Sequence, residues 1–122
     1  LHERFTLPAM YAPVAVRLLS EEHFDAQGHA YDISEGGLRF ELDRPIPPGT
    51  QVAVQVTLPG PPEGGPDGPG RSVFAVANIV WLQDEDEPGP VRMAAVFSRF
   101  AREGDRDRLL RQLGSGRFCR AA

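Results

Sequence analysis

The stretch "YDISEGGLRFEL", residues 31 to 42, sets Asp32 and Ser34 two positions apart, then Gly36 and Gly37, at the mouth of an alternating run from Leu38 to Leu42. An ionised carboxylate only accepts hydrogen bonds, a hydroxyl both donates and accepts, and glycine lets another group approach the backbone closely. Those types in that order can hold a polar ligand. They can equally build a hairpin turn, because Asp and Ser bond their own backbone two residues on and Gly supplies positive φ. Taken alone, the stretch supports either reading.

Other chemistry is scarce. There is no GxSxG elbow, no phosphate-cradling Walker loop and no GxGxxG, and His2, His23 and His29 have no serine or cysteine partner in sequence. No catalytic residue is assigned, and an enzyme is not expected. The lone Cys119 excludes an internal disulfide framework and joins no histidine at zinc-ligand spacing, so no metal site is expected. His23 and His29 read as exposed residues flanking a turn around Gly28. The acidic "DEDEP" at 84 to 88 lacks the oxygen-rich neighbours and shaping glycine of a calcium loop and reads as a solvated turn.

Length and charge bound the remaining possibilities. The chain of 122 residues fits one domain with a real core, and its net charge of −4 gives no bias toward duplex nucleic acid or anionic membrane. All 13 basic residues are arginine, which fits a genomic composition bias more simply than a functional one. Apolar runs are broken well before they could span a bilayer, and the N-terminal residues lack signal-peptide regions. The expected compartment is the cytoplasm. The chain opens on Leu1 rather than methionine, as expected of a piece of a longer protein.

The elements that must position the Asp32–Gly37 stretch show period two until the last twenty residues. "PVAVRLLS" sets Val14, Val16 and Leu18 on one face, and "TQVAVQVTLP" does the same with Val52, Val54, Val56 and Leu58. "RSVFAVANIVWLQ" is apolar on both faces, which places Trp81 in or against the core and requires a cover on the outside. That cover is the helix in "REGDRDRLLRQLGSGRF", capped by Asp105, supported by the Asp105/Arg108 and Asp107/Arg111 spacings, and striped by Leu109, Leu110 and Leu113. Antiparallel strands are predicted near 12–19, 28–33, 37–43, 50–58, 71–83 and 91–98, with a helix near 104–113. The fold class is mainly β: a small six-stranded antiparallel barrel, closed so that no long edge is exposed, with one C-terminal α-helix. The Pro/Gly-rich "PGPPEGGPDGPG", residues 59 to 70, reads as a mobile hairpin extension.

With these elements in order, Asp32, Ser34 and Gly37 match a DxSxxG signature, and the chain resembles the PilZ family over nearly its whole length. An "ERF" near the start, "APVAVRL", "PIPPGTQVAVQVTLP", and "AREGDRDRLLRQL" after "AAVFSRF" carry the rest of the likeness. The resemblance implies a single PilZ-like domain over 1–122, a six-stranded PilZ-like barrel that senses cyclic di-GMP. Two arginines of an RxxxR segment before the first strand would grip guanines and phosphates, and the DxSxxG turn would contact the nucleotide. Guanine suits such a set, because its Hoogsteen edge accepts from an Arg fork and its Watson–Crick edge donates to a carboxylate. The implied ligand-binding residues are Arg4, Asp32, Ser34, Gly36 and Gly37. Cyclic di-GMP is the candidate ligand, and no cofactor is expected.

This chain departs from the family at the arginine pair. With Arg4 in the first position the second falls on Pro8, which has neither charge nor backbone donor; with Arg4 second, its partner would precede Leu1. The aromatic beside "ER" favours the first placement, which leaves half a clamp. Arg17, Arg39 or Arg92 could compensate from a neighbouring strand, and Arg39, two residues past Gly37, joins the candidate set. The alternative is a degenerate module that acts only through a protein partner, as Pro8 and the negative charge would allow.

Overall fold

A computed structural model describes residues 5–6, 12–58, 72–82, 90–101, 104–113 and 119–120. The elements among them are β1 (Phe5–Thr6), β2 (Pro13–Leu18), β3 (Ala26–Ile33), β4 (Gly37–Leu42), β5 (Gln51–Thr57), β6 (Ser72–Leu82), β7 (Val91–Phe100), α1 (Asp105–Leu113) and β8 (Cys119–Arg120). Strands β2 to β7 follow the order β2-β5-β6-β7-β4-β3, every pairing is antiparallel, and a β2–β3 pairing closes the barrel. The six strands and the helix expected from periodicity are present. The two-residue strands were not anticipated: β1 pairs with β3, and β8 with β1. Arg4, Pro8, the 59–70 extension and the acidic turn at 84–88 lie outside the described residues.

The alternation places Val14, Val16, Leu38, Phe40, Leu42, Val52, Val54, Val56, Val73, Ala75, Ala77, Ile79, Met93 and Ala95 in one core. Full burial of a side chain such as Phe40 contributes about 1.5–3 kcal/mol, so a continuous interior of this kind dominates stability. Leu18, expected on the same face as Val14 and Val16, ends β2 and is exposed.

Two expectations fail, each for a local reason. Gly28 is not at a turn: it sits within β3, and the β2–β3 connection spans 19–25. A Cβ on Gly28 would lie 1.7 Å from the Glu41 carbonyl oxygen, so this glycine permits close approach of β4. Trp81 is not in the core; it is 48% exposed. The β6–β7 register shifts between Ile79 and Trp81, so Ile79 opposes Ala95 and Trp81 opposes Ala94. Val80 is the extra residue of a β-bulge. It reverses the inside–outside parity, sending Trp81 outward and setting Leu82 opposite the buried Met93.

The helix covers β6 as its two apolar faces require, with Leu109 and Leu113 buried and the outward Val76 only 5% exposed. Asp105 does more than start this helix. It is fully buried, its Oδ2 accepts a hydrogen bond from the Phe74 backbone N–H at 3.2 Å, and its other carboxylate oxygen pairs with the buried Arg108 guanidinium. One acid thus ties the helix to the barrel wall. Removing one partner of a buried pair leaves the other charge uncompensated. Asp105→Ala is therefore expected to cost about 3–5 kcal/mol in urea-induced unfolding, with much of the loss recovered when Arg108→Met is added.

Candidate functional site

The DxSxxG residues lie at the β3–β4 hairpin, and they divide their duties. Ser34 builds the turn: its N–H donates to the Gly37 carbonyl at 2.9 Å, and its Oγ accepts from the Gly36 N–H at 3.1 Å. Only 4% of Ser34 is exposed. The Gly36 carbonyl accepts from the Phe97 N–H at 2.8 Å, which binds the turn to β7. Positive φ occurs at Gly49 and Gly104 among the described glycines, so the Gly36–Gly37 pair serves another purpose. A Cβ on Gly37 would stand 2.2 Å from the Ala95 carbonyl oxygen, and glycine is what lets the hairpin lie on β7.

Asp32 does not share the turn role. The β3–β4 register shifts between Ala30 and Asp32, because Tyr31 is an extra, bulged residue. Ala30 opposes the buried Phe40, whereas Asp32 opposes Arg39, whose residue is exposed on the outer wall. The Arg39 guanidinium lies 3.6 Å from Asp32 Oδ2, with its side chain half exposed. Asp32 is thereby the shielded partner that orients an open arginine fork. Beside them the Arg92 guanidinium sits 5.5 Å from the centre of the Tyr31 ring, a cation–π contact. Burial pushes the Tyr31 phenol upward in pKa, opposed by Arg92, so Tyr31 is a neutral O–H group at physiological pH.

The surroundings link this wall to the rest of the molecule. Thr6 of β1 is the backbone partner of Asp32, and Phe5 that of Ile33. Glu35, inside the motif, forms an ion pair with Arg106 of α1, and a groove of ≈ 470 Å³ opens there among Glu35, Gly36, Phe97 and Arg106. The structure thus brings Asp32, Ser34, Gly36, Gly37 and Arg39 to one hairpin, whereas Arg4 lies outside the described residues. Arg17 is elsewhere, over the Phe24 ring and donating to the Glu21 carbonyl at 2.9 Å. Tyr31 and the Glu35–Arg106 tie were not foreseen. No sequence signal marks a bulge, and the ion pair joins residues 71 positions apart.

The described residues form a small closed antiparallel barrel with a C-terminal helix and a DxSxxG hairpin on its outer wall. A PilZ domain family model matches residues 1–115, and the chain belongs to that family. Solved structures share the fold, among them the two that follow. The PilZ domain of Escherichia coli YcgR, solved with c-di-GMP, has a TM-score of 0.63 at 17% identity, over 93% of this chain and 88% of that one. Bacillus subtilis MotI/DgrA, an inhibitor of motility, has a TM-score of 0.61 at 19% identity over 95% of this chain. The chain spans about half, 51%, of the MotI chain. A search of curated protein sequences finds no match. No helix among the described residues is long and apolar enough to cross a membrane.

The division of labour at the hairpin has a measurable consequence. Ser34→Ala removes a turn bond and is expected to lower stability by about 0.5–2 kcal/mol, as loss of a capping-type bond does. Asp32→Ala breaks an ion pair whose arginine is half exposed and should change stability by less than about 1 kcal/mol. Thermal unfolding of the two variants, followed by circular dichroism, checks the contrast.

Proposed function

We propose that the domain is a non-enzymatic, cytoplasmic bacterial signalling module that binds cyclic di-GMP on the outer wall of the barrel at the β3–β4 hairpin. The observation that carries this reading is the Asp32–Arg39 pair, in which the motif carboxylate holds a half-exposed guanidinium beside the turn. That fork suits a phosphate or the O6/N7 edge of guanine, and the carboxylate suits the donors of the Watson–Crick edge. Membership of the PilZ family and the fold shared with a nucleotide-bound domain support it.

Affinity is expected to be modest. Pro8 in place of a second arginine removes a charge-assisted contact of about 1.5–3 kcal/mol, a loss of roughly ten- to a hundredfold. Arg39 offsets part of it, since a ligand reaching Asp32 necessarily meets the guanidinium that Asp32 holds.

Calorimetric titration with cyclic di-GMP, on the protein together with any segment that naturally precedes Leu1, tests the reading. Binding is expected to weaken with added salt, because exposed charges are screened over about 10 Å at 0.1 M. Arg39→Ala should weaken it at least about tenfold, and Pro8→Arg should strengthen it. No heat of binding at millimolar ligand would overturn the receptor reading. The second reading, a PilZ adaptor acting only through a protein partner, would then take its place, favoured by Pro8 and the net charge of −4.

A further inference from the structure

The groove between the β3–β4 hairpin and α1 has two fixed walls and one loose tie across it. On one side the Phe97 N–H donates to the Gly36 carbonyl at 2.8 Å; on the other, the buried Asp105–Arg108 pair holds the helix turn that carries Arg106. The floor comes from β7. Its register against β6 shifts at Ser98, so Phe97 opposes Ala77, Arg99 opposes Val76 and Phe100 opposes Ala75. Ser98 is the extra residue of a bulge, which sets both phenylalanines on the side of the buried alanines and Arg99 on the other. The two half-buried rings meet with their centres 5.3 Å apart.

Charge in the groove is unbalanced. Among the described residues it is lined by Arg99 and Arg106 against the single acid Glu35, on a chain whose net charge is −4. The Arg106 side chain is more than half exposed and pairs with the mostly shielded Glu35 carboxylate, while Arg99 makes no ion pair among the described residues. Glu35 thus fills one cationic position with a carboxylate of the chain's own. An ion pair with so exposed an arginine contributes little, so an incoming carboxylate can take its place at small cost.

We propose that this groove docks a protein segment that presents an acidic side chain beside an aliphatic one. The carboxylate takes the guanidinium fork of Arg106 or Arg99, and the aliphatic side chain rests on Phe97 and Phe100. A carboxylate is the anion that Arg106 already holds, and a half-buried aromatic floor suits an aliphatic group better than a hydrated one. The inference is independent of nucleotide binding at Asp32 and Arg39, and it gives the partner-binding reading above a surface and a partner chemistry.

The probe is a fluorescein-labelled, glutamate-rich octapeptide containing two leucines, followed by fluorescence polarisation, with its glutamine isostere as control. The acidic peptide is expected to bind the parent protein and the isostere is not. Glu35→Gln removes the internal competitor and should tighten binding about two- to fivefold, whereas Arg99→Ala or Arg106→Ala should weaken it about tenfold. Tightening is the response that a purely structural ion pair would not give. Peptide is expected to shift the backbone amide resonances of Gly36, Phe97 and Ser98, and the melting temperature of each variant should stay near that of the parent. Lack of binding at millimolar peptide, equal binding of the isostere, a Glu35→Gln variant that binds no more tightly, or shifts confined to other residues would each overturn the docking groove. Shifts of the same amides on concentrating the protein alone would assign the groove to a second copy of the chain and overturn it as well. None of these outcomes alters the calorimetric test of cyclic di-GMP binding.

Discussion

Closure of the barrel through the β2–β3 pairing is the constraint on which everything else depends. A closed sheet has one interior and one exterior, and every residue of every strand is assigned to one of them by parity. The interior takes Phe40, Ile79, Met93 and the valines of β2 and β5. Whatever is polar and able to meet a ligand must then appear on the outer wall, where an unmodified alternation would scatter it. Bulges at Tyr31 and at Val80 break the parity, and the broken parity turns Asp32 and Trp81 to the outer wall that carries Arg39.

An outer-wall location has physical consequences for any ligand that meets the hairpin. The Arg39 side chain is half exposed, so its charge contacts are screened and each contributes modestly. Recognition there would draw on several shallow contacts acting together: a guanidinium fork, a carboxylate and backbone approach at glycine. Asp32 is mostly shielded and Arg39 half exposed, which keeps the fork oriented before a ligand arrives and lowers the ordering cost of binding. Ser34 has little surface to offer a ligand. Its contribution is the shape of the turn that presents the other groups.

The helix links this wall to the barrel's opposite supports. Asp105 and Arg108 fasten α1 to the backbone of β6, and Arg106 reaches Glu35 within the motif. The inner attachment is buried and structural. The outer one is an exposed ion pair, which contributes little to stability.

The sequence by itself determined the fold class, because alternating apolar residues and a single leucine stripe admit few arrangements of six strands and one helix. It also determined the hairpin, since the turn bonds of Ser34 to Gly36 and Gly37 are local. What it could not determine was parity beyond a bulge. Trp81 continues the register of Val73, Ala75, Ala77 and Ile79 in the sequence, yet one unpaired residue, set by pairing with β7, reverses it. The same holds for the Asp32–Arg39 pair and the Glu35–Arg106 tie, which arise only when distant strands and the helix are docked. Local bonding is written in neighbouring residues, whereas the facing of a side chain depends on partner strands, and that was decided by the tertiary structure.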